Sequence, residues 1–258
     1  MTKIPAVLRL LVLGLCSLVL VPLQVLSIWF GWPLLHRIPV WFHRVLLRLF
    51  NVRVTVRGTP PGDAPTLILA NHVSWLDIPV IGSLSPLSFI AKSEIEGWPV
   101  VGLLAQLQRS VFIDRGRRKA TAEVNHMLAH RLMKGEAIVL FAEGTTGDGN
   151  RLLPFRSSLV GAAQGALMQD SVEQVFLQPL AIAYTGHNGM PVTRRERPLL
   201  AWYGDMDLGP HLAMFVQARP IDVVVTWGKP VPFNGNRKEA TAAMEAEVRR
   251  ALRAAGVP

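Results

Sequence analysis

Apolar positions run almost without interruption through the first fifty residues and then break into short blocks, which divides the chain in two. From Leu10 through Leu35 no charged residue occurs. At helical rise that run is long enough to cross a hydrocarbon core of roughly 30 Å. Pro22 and Gln24 lie in its middle, so a straight crossing, a kinked span and a helical hairpin entering one leaflet all stay open. A cleaved secretory leader fits poorly: the run exceeds the roughly 7 to 15 residues of a signal core, and no small-x-small site precedes a polar start. Next, Trp41, Phe42, Val45, Leu46, Leu49 and Phe50 alternate with Arg37, His43, Arg44 and Arg48, the pattern of an amphipathic helix at a membrane interface. Its arginines favour the cytoplasmic leaflet.

Beyond Phe50, short β-branched runs alternate with helical stretches, as in an α/β domain. The expected strands are Val52 to Val56, Thr66 to Ala70, Leu87 to Ala91, Ser110 to Ile113, Ala137 to Phe141, Phe176 to Tyr184 and Ile221 to Trp227. Helices are expected from Arg117 to Lys134, closed by Gly135, and from Arg237 to Ala255, closed by Gly256. Gly186 to Pro198, with His187, Asn188, Gly189 and Pro191, reads as a long surface loop. The division is therefore a membrane-attachment segment over residues 1–50 and an α/β domain over residues 51–258.

Half of the 258 residues are hydrophobic, enough for a sizeable core. The net charge of +9, from 27 basic and 18 acidic residues, points to an anionic partner without choosing among nucleic acid, lipid and substrate. A single cysteine, Cys16, excludes an internal disulfide framework and suits a reducing cytosolic face.

Three stretches that follow expected strands carry candidate chemistry, because ligands of an open α/β sheet bind beyond the carboxyl ends of its strands. Asn71-His72-Val73-Ser74-Trp75-Leu76-Asp77 follows the second strand, where a sharp turn can bring His72 and Asp77 together. A carboxylate on one imidazole nitrogen fixes the tautomer and frees the other nitrogen to take a proton from an alcohol. The same residues also fit a helix start, with Ser74 or Asn71 as cap and Asp77 at the positive end. Phe141-Ala142-Glu143-Gly144-Thr145-Thr146 runs into Gly147-Asp148-Gly149-Asn150, then Arg151 and Arg156. Backbone amides of such a loop can hold an anion, or the stretch can be an ordinary strand exit. Val111-Phe112-Ile113-Asp114-Arg115-Gly116-Arg117-Arg118-Lys119 sets four basic residues at a strand end, with Arg115 nearest the strand, as a phosphate clamp or as a face near anionic lipid.

In this order, the three stretches resemble the PlsC-like family of glycerolipid acyltransferases, typified by 1-acylglycerol-3-phosphate acyltransferase. Asn71-His72 with Ser74 and Asp77 matches its NHxSxxD block, Phe112 to Arg115 resembles its second block, and Phe141 with Glu143-Gly144-Thr145 resembles its third. Pro179-Leu180-Ala181 is similar to the fourth. The resemblance implies a mainly parallel central sheet flanked by helices on an N-terminal membrane-attached segment. It implies an acyl-CoA or acyl-carrier-protein co-substrate, a lysolipid acceptor, and neither cofactor nor metal. His72 is then the catalytic base and Asp77 its orienting acid, while Asn71, Ser74, Arg115, Glu143, Gly144, Thr145 and Thr146 form the acceptor site, with backbone donors near Gly144 for the oxyanion. The setting implied is the cytoplasmic face of the inner membrane.

One departure bears on the acceptor. Phosphate-acceptor members usually carry arginine where this chain has Thr146, and a hydroxyl cannot replace a bidentate guanidinium. The string from Glu143 to Ser158 looks like the branch that acylates lyso-ornithine lipid, whose acceptor has no phosphate; Arg115, Arg151 or Arg156 would have to supply the contact to lysophosphatidate. Two rival classes have less support. A tethered binding protein for an anionic partner finds no recognised nucleic-acid module. A metal hydrolase on His126 and His130 lacks both the intervening glutamate and a third ligand.

Overall fold

The structure is a computed structural model that describes residues 5–113, 127–160, 174–216 and 220–258. Its first helix, α1 (Ala6–Phe30), contains Pro22 and ends on Gly31 in the left-handed conformation. It is long and apolar enough to cross a membrane, and Leu11, Leu15, Leu18, Val19, Trp29 and Phe30 are exposed. An apolar surface so exposed among the described residues is suited to membrane association. A turn of 3-10 helix (Pro33–His36) leads into α2 (Ile38–Leu49).

α2 departs from the interfacial reading. Only Trp41 of its apolar side is openly exposed, whereas Ile38 and Val40 are buried and Leu47 and Phe50 join the core of the domain. Polar bonds complete the docking: Arg44 Nε donates to the Ser83 carbonyl, and His43 pairs with Gln108 at 2.8 Å. Because Gln108 Nε2 donates to the Leu87 carbonyl, its Oε1 must accept from His43 Nε2. Burial keeps the imidazole neutral, pushing its pKa down to about 4.

The sheet comprises β1 (Val52–Arg57), β2 (Thr66–Ala70), β3 (Ser88–Lys92), β4 (Val111–Ile113), β5 (Ile138–Phe141), β6 (Phe176–His187), β7 (Met190–Pro191), β8 (Ile221–Trp227) and β9 (Val231–Pro232). The order is β1-β8-β6-β2-β5-β3-β4, with β7 and β9 paired to β6. From β6 to β4 all neighbours are parallel, and β8 opposes β6. The carboxyl ends of β2, β3, β4, β5 and β6 therefore share one edge.

Alternation along each strand builds two core layers. Ile68, Ala70, Val139, Phe141, Leu180 and Ile182 face α2 and α3 (Asp77–Gly82), where Leu47, Leu76, Val80 and Ile81 pack. Leu67, Leu69, Ile138, Leu140, Leu177 and Ala181 face the C-terminal helix (Arg237–Ala254) through Met244, Val248 and Leu252. Each large apolar side chain so enclosed is worth roughly 1.5–3 kcal/mol. The C-terminal helix is capped reciprocally: Asn236 accepts from the Glu239 N–H while its own amide donates to the Glu239 carboxylate.

The loop expected from Gly186 to Pro198 is instead structured. β6 continues to His187, turns through Asn188 and Gly189 at φ 58° and 82°, and returns as β7. Asn-Gly tolerates those positive φ values and so favours a two-residue hairpin. Arg197–Leu200 then forms a short helix. Of the helix expected from Arg117, residues 127–133 are helical, Gly135 closes it at φ 77°, and the rest lies outside the described residues.

Candidate active site

The chain leaves β2 at Ala70 and is immediately fastened to β6. The Asn71 amide donates to the Ile182 carbonyl at 3.0 Å and accepts from the Ile182 N–H at 2.8 Å, which prolongs the β2–β6 register by one side-chain pair. His72 follows at the shared strand edge, its side chain 17% exposed. Its ring stacks on Phe141 with centroids 3.8 Å apart and planes within 12°, and Phe141 stacks in turn on Phe89.

The turn to α3 then brings Asp77 back under the imidazole. Asp77 Oδ2 accepts from His72 Nδ1 at 2.8 Å and from the N–H groups of Val73 at 2.7 Å and Ser74 at 3.0 Å. Its Oδ1 accepts from the Tyr184 phenol at 2.7 Å. Asp77 is wholly buried, and these four donors satisfy both of its carboxylate oxygens. A carboxylate facing Nδ1 places the proton there, which leaves Nε2 with a lone pair for an incoming hydroxyl.

Glu143 holds the site from the other side. One carboxylate oxygen accepts from the His72 N–H at 2.6 Å and the other from the Leu153 N–H at 2.7 Å. The His72 carbonyl accepts from the Gly147 N–H at 2.8 Å. The loop after β5 thus grips the backbone of His72 on both flanks. Gly149 lets it come this close: its φ is 75°, and an added Cβ would sit 3.2 Å from Val73 Cγ1.

These bonds revise several expectations. Asn71 and Glu143, both expected in the acceptor site, have polar ends bonded to backbone groups of Ile182, His72 and Leu153. The Gly144 N–H donates to the Phe141 carbonyl within a turn at φ 78°, so it is not a free oxyanion donor. Ser74 lends Asp77 its N–H, and its hydroxyl is fully buried. Thr145 is exposed and Thr146 half-buried, while Arg151 and Arg156 are exposed. Arg115 and His126 lie outside the described residues. Among the described residues no group of three or more His, Cys, Asp or Glu is arranged to hold a metal. Tyr184 is a member that sequence reasoning missed, although it ends the buried β6 face that carries Leu180 and Ile182 with a polar tip.

Glu143 carries a pH signature. Burial pushes its pKa up to about 8, against the pull of its two backbone donors. With the folded value above the unfolded one, its contribution to stability is full below the unfolded carboxylate range and is lost as pH rises through about 8. Glu143→Gln leaves one oxygen for two backbone donors, so one N–H goes unmet at a cost of about 1–3 kcal/mol. Calorimetry should find the variant less stable at pH 5 and without the wild-type fall toward pH 9. Displacement of the His72 backbone should lower activity by about 10².

Comparison with known proteins agrees with this geometry. The acyltransferase family model matches residues 51–183. Over 243 residues the chain is 45% identical to a lyso-ornithine lipid O-acyltransferase of Brucella abortus, covering 93% of this chain and 90% of that protein. A lyso-ornithine lipid O-acyltransferase of Rhizobium meliloti is 43% identical, with 94% and 84% covered. A 1-acyl-sn-glycerol-3-phosphate acyltransferase of Neisseria meningitidis is 41% identical over 130 residues, 50% of this chain and 51% of that one. The fold is shared with the crystal structure of the 1-acyl-sn-glycerophosphate (LPA) acyltransferase PlsC of Thermotoga maritima, at a TM-score of 0.57 and 21% identity over 97% of this chain and 98% of that one.

Proposed function

Because the chain belongs to the acyltransferase family and is an O-acyltransferase whose relatives acylate lysolipids, we propose that His72 is its general base and that its acceptor is lyso-ornithine lipid. One observation carries the chemistry: an imidazole at the strand edge has Nδ1 bound to a buried, four-donor carboxylate, and its Nε2 has no hydrogen-bond partner among the described residues. His72 Nε2 removes the proton of the lysolipid hydroxyl as its oxygen adds to the thioester carbonyl. The tetrahedral adduct collapses, the C–S bond breaks, and the imidazolium returns the proton to the departing thiolate. The ester forms in one ternary complex, with the lipid hydroxyl as nucleophile. Cys16 lies within α1 and has no part in the transfer. The donor is an acyl thioester of coenzyme A or carrier protein, and no cofactor or metal enters.

The acceptor assignment is supported by the extent of likeness. The ornithine-lipid relatives match along nearly the whole chain, the Neisseria phosphate-acceptor relative along half of it. Thr146, half-buried beside the gripping loop, has a hydroxyl where a phosphate would call for a guanidinium. The enzyme works from the cytoplasmic face of the inner membrane, with residues 1–50 as attachment and residues 51–258 as the catalytic domain. An α1 lying in the plane of one leaflet is supported by its protein-facing stripe. Arg9, Gln24 and Ser27 are buried along that side, and Gln24 donates to the carbonyls of Leu35 and Leu107. A crossing helix would leave such groups in hydrocarbon.

The test supplies purified enzyme in mixed micelles with lyso-ornithine lipid and lysophosphatidate in parallel, using one labelled acyl donor. Acyl transfer to lyso-ornithine lipid should exceed that to lysophosphatidate by at least about tenfold in kcat/KM. Preference for lysophosphatidate would overturn the assignment.

A further inference from the structure

Asp77 is the most heavily engaged carboxylate among the described residues, and its four bonds are unevenly shared. Oδ2 serves His72 Nδ1 and two backbone N–H groups, so its position follows from the turn that carries it. Oδ1 receives a single bond, and it comes from the middle of another strand: Tyr184 of β6, at 2.7 Å. We infer that Tyr184 is a positioning residue of the acyl-transfer reaction, its phenol holding the far oxygen of Asp77 and thereby setting the basicity of His72.

Several observations carry this beyond ordinary core packing. The Tyr184 ring sits in the layer with Ile182, Leu180 and Trp227, and burial suffices to account for the ring. It does not account for the hydroxyl, which Phe would omit without loss of packing. The hydroxyl is aimed at the one carboxylate oxygen that the local turn leaves without a donor. Bonded there, it fixes the carboxylate plane so that Oδ2 faces the imidazole, and it draws negative charge toward Oδ1. An anion shared in this way stabilises the imidazolium less than one concentrated on Oδ2 would, so Tyr184 holds the His72 proton affinity down. Burial, then the Asp77 charge, drive the Tyr184 pKa well above its ordinary value, so the phenol stays a donor throughout the working range.

Other titratable groups near the dyad are shared by wild type and variants and cancel in a comparison. The loop after β5 presents Glu143, whose ionisation feels Asp77. α2 presents His43 to Gln108, and the helix Leu208–Val216 presents His211 to Trp75 Nε1 at 3.0 Å, both bonded away from the carboxylate.

The inference rests on His72–Asp77 as the reacting pair and is tested beside Asp77→Asn so that the two can fail separately. The experiment measures kcat/KM against pH for the full-length enzyme, Tyr184→Phe, and enzyme with 3-fluorotyrosine at position 184, whose phenol is the stronger donor. Tyr184→Phe should move the acid limb upward by about one pH unit and lower kcat/KM at neutral pH by about tenfold. The fluorotyrosine enzyme should move the limb downward. A limb that stays in place in both overturns the inference, even where activity falls along with thermal stability. If Tyr184→Phe does not fold, the fluorotyrosine enzyme decides alone: a downward shift sustains the inference and an unmoved limb ends it. An Asp77→Asn enzyme with full activity would instead remove the dyad itself.

Discussion

Asp77→Asn should lower kcat by roughly 10³ to 10⁴, the scale seen when an orienting aspartate becomes an amide in a catalytic triad. The cause is a mismatch of donors and acceptors. Four groups donate to this carboxylate: His72 Nδ1, two backbone N–H groups and the Tyr184 phenol. An amide has one oxygen for them, and its NH₂ must face at least one of the four. If the NH₂ turns to His72, Nδ1 has to accept, the ring proton moves to Nε2, and the nitrogen that meets the substrate can no longer take a proton. If the NH₂ turns to Tyr184 instead, the phenol loses its acceptor inside the core at about 1–3 kcal/mol, and a neutral amide faces Nδ1 where a carboxylate would stabilise the imidazolium formed in the reaction. Acyl-transfer rates with both substrates saturating should therefore collapse while binding of the acyl donor, followed by equilibrium titration, stays near the wild-type value. Wild-type kcat in Asp77→Asn would mean that the carboxylate orients nothing of consequence.

The parts of this site that were legible in the sequence are the local ones. His72 and Asp77 stand five positions apart across a strand-to-helix turn, so their meeting required only that Thr66 to Ala70 be a strand and Asp77 open a helix. The seven main strands fell close to their expected places because alternation and β-branching report burial directly. Contacts between strands were harder, since alternation assigns a face without assigning neighbours. Tyr184 is 107 positions from Asp77, and only the pairing of Ala70 with Leu180 brings it to the carboxylate. Glu143 was recognised but its task was not: a buried acid bonded to two backbone amides looks, in sequence, like an acid facing substrate. α2 was harder to read for a related reason, because an apolar stripe with flanking arginines fits a bilayer and a protein core equally well, and the bonds of Arg44 to Ser83 and of His43 to Gln108 are contacts that the stripe does not announce.

His72→Ala should remove the proton acceptor itself, at a cost of about 10² to 10⁴ in rate by the usual magnitude of general-base assistance. The fold should tolerate the change better than the chemistry does. Asp77 keeps its backbone donors and Tyr184, Asn71 still ties the loop to Ile182, and the loss is one stack against Phe141 and one buried bond. The decisive measurement is acyl transfer by purified, folded His72→Ala in mixed micelles, with labelled acyl donor and lyso-ornithine lipid, followed as labelled diacyl product over time. Product should form at least about 10² more slowly than with wild type at every pH where the enzyme is stable. Product formed at the wild-type rate would contradict the assignment of His72 as the base.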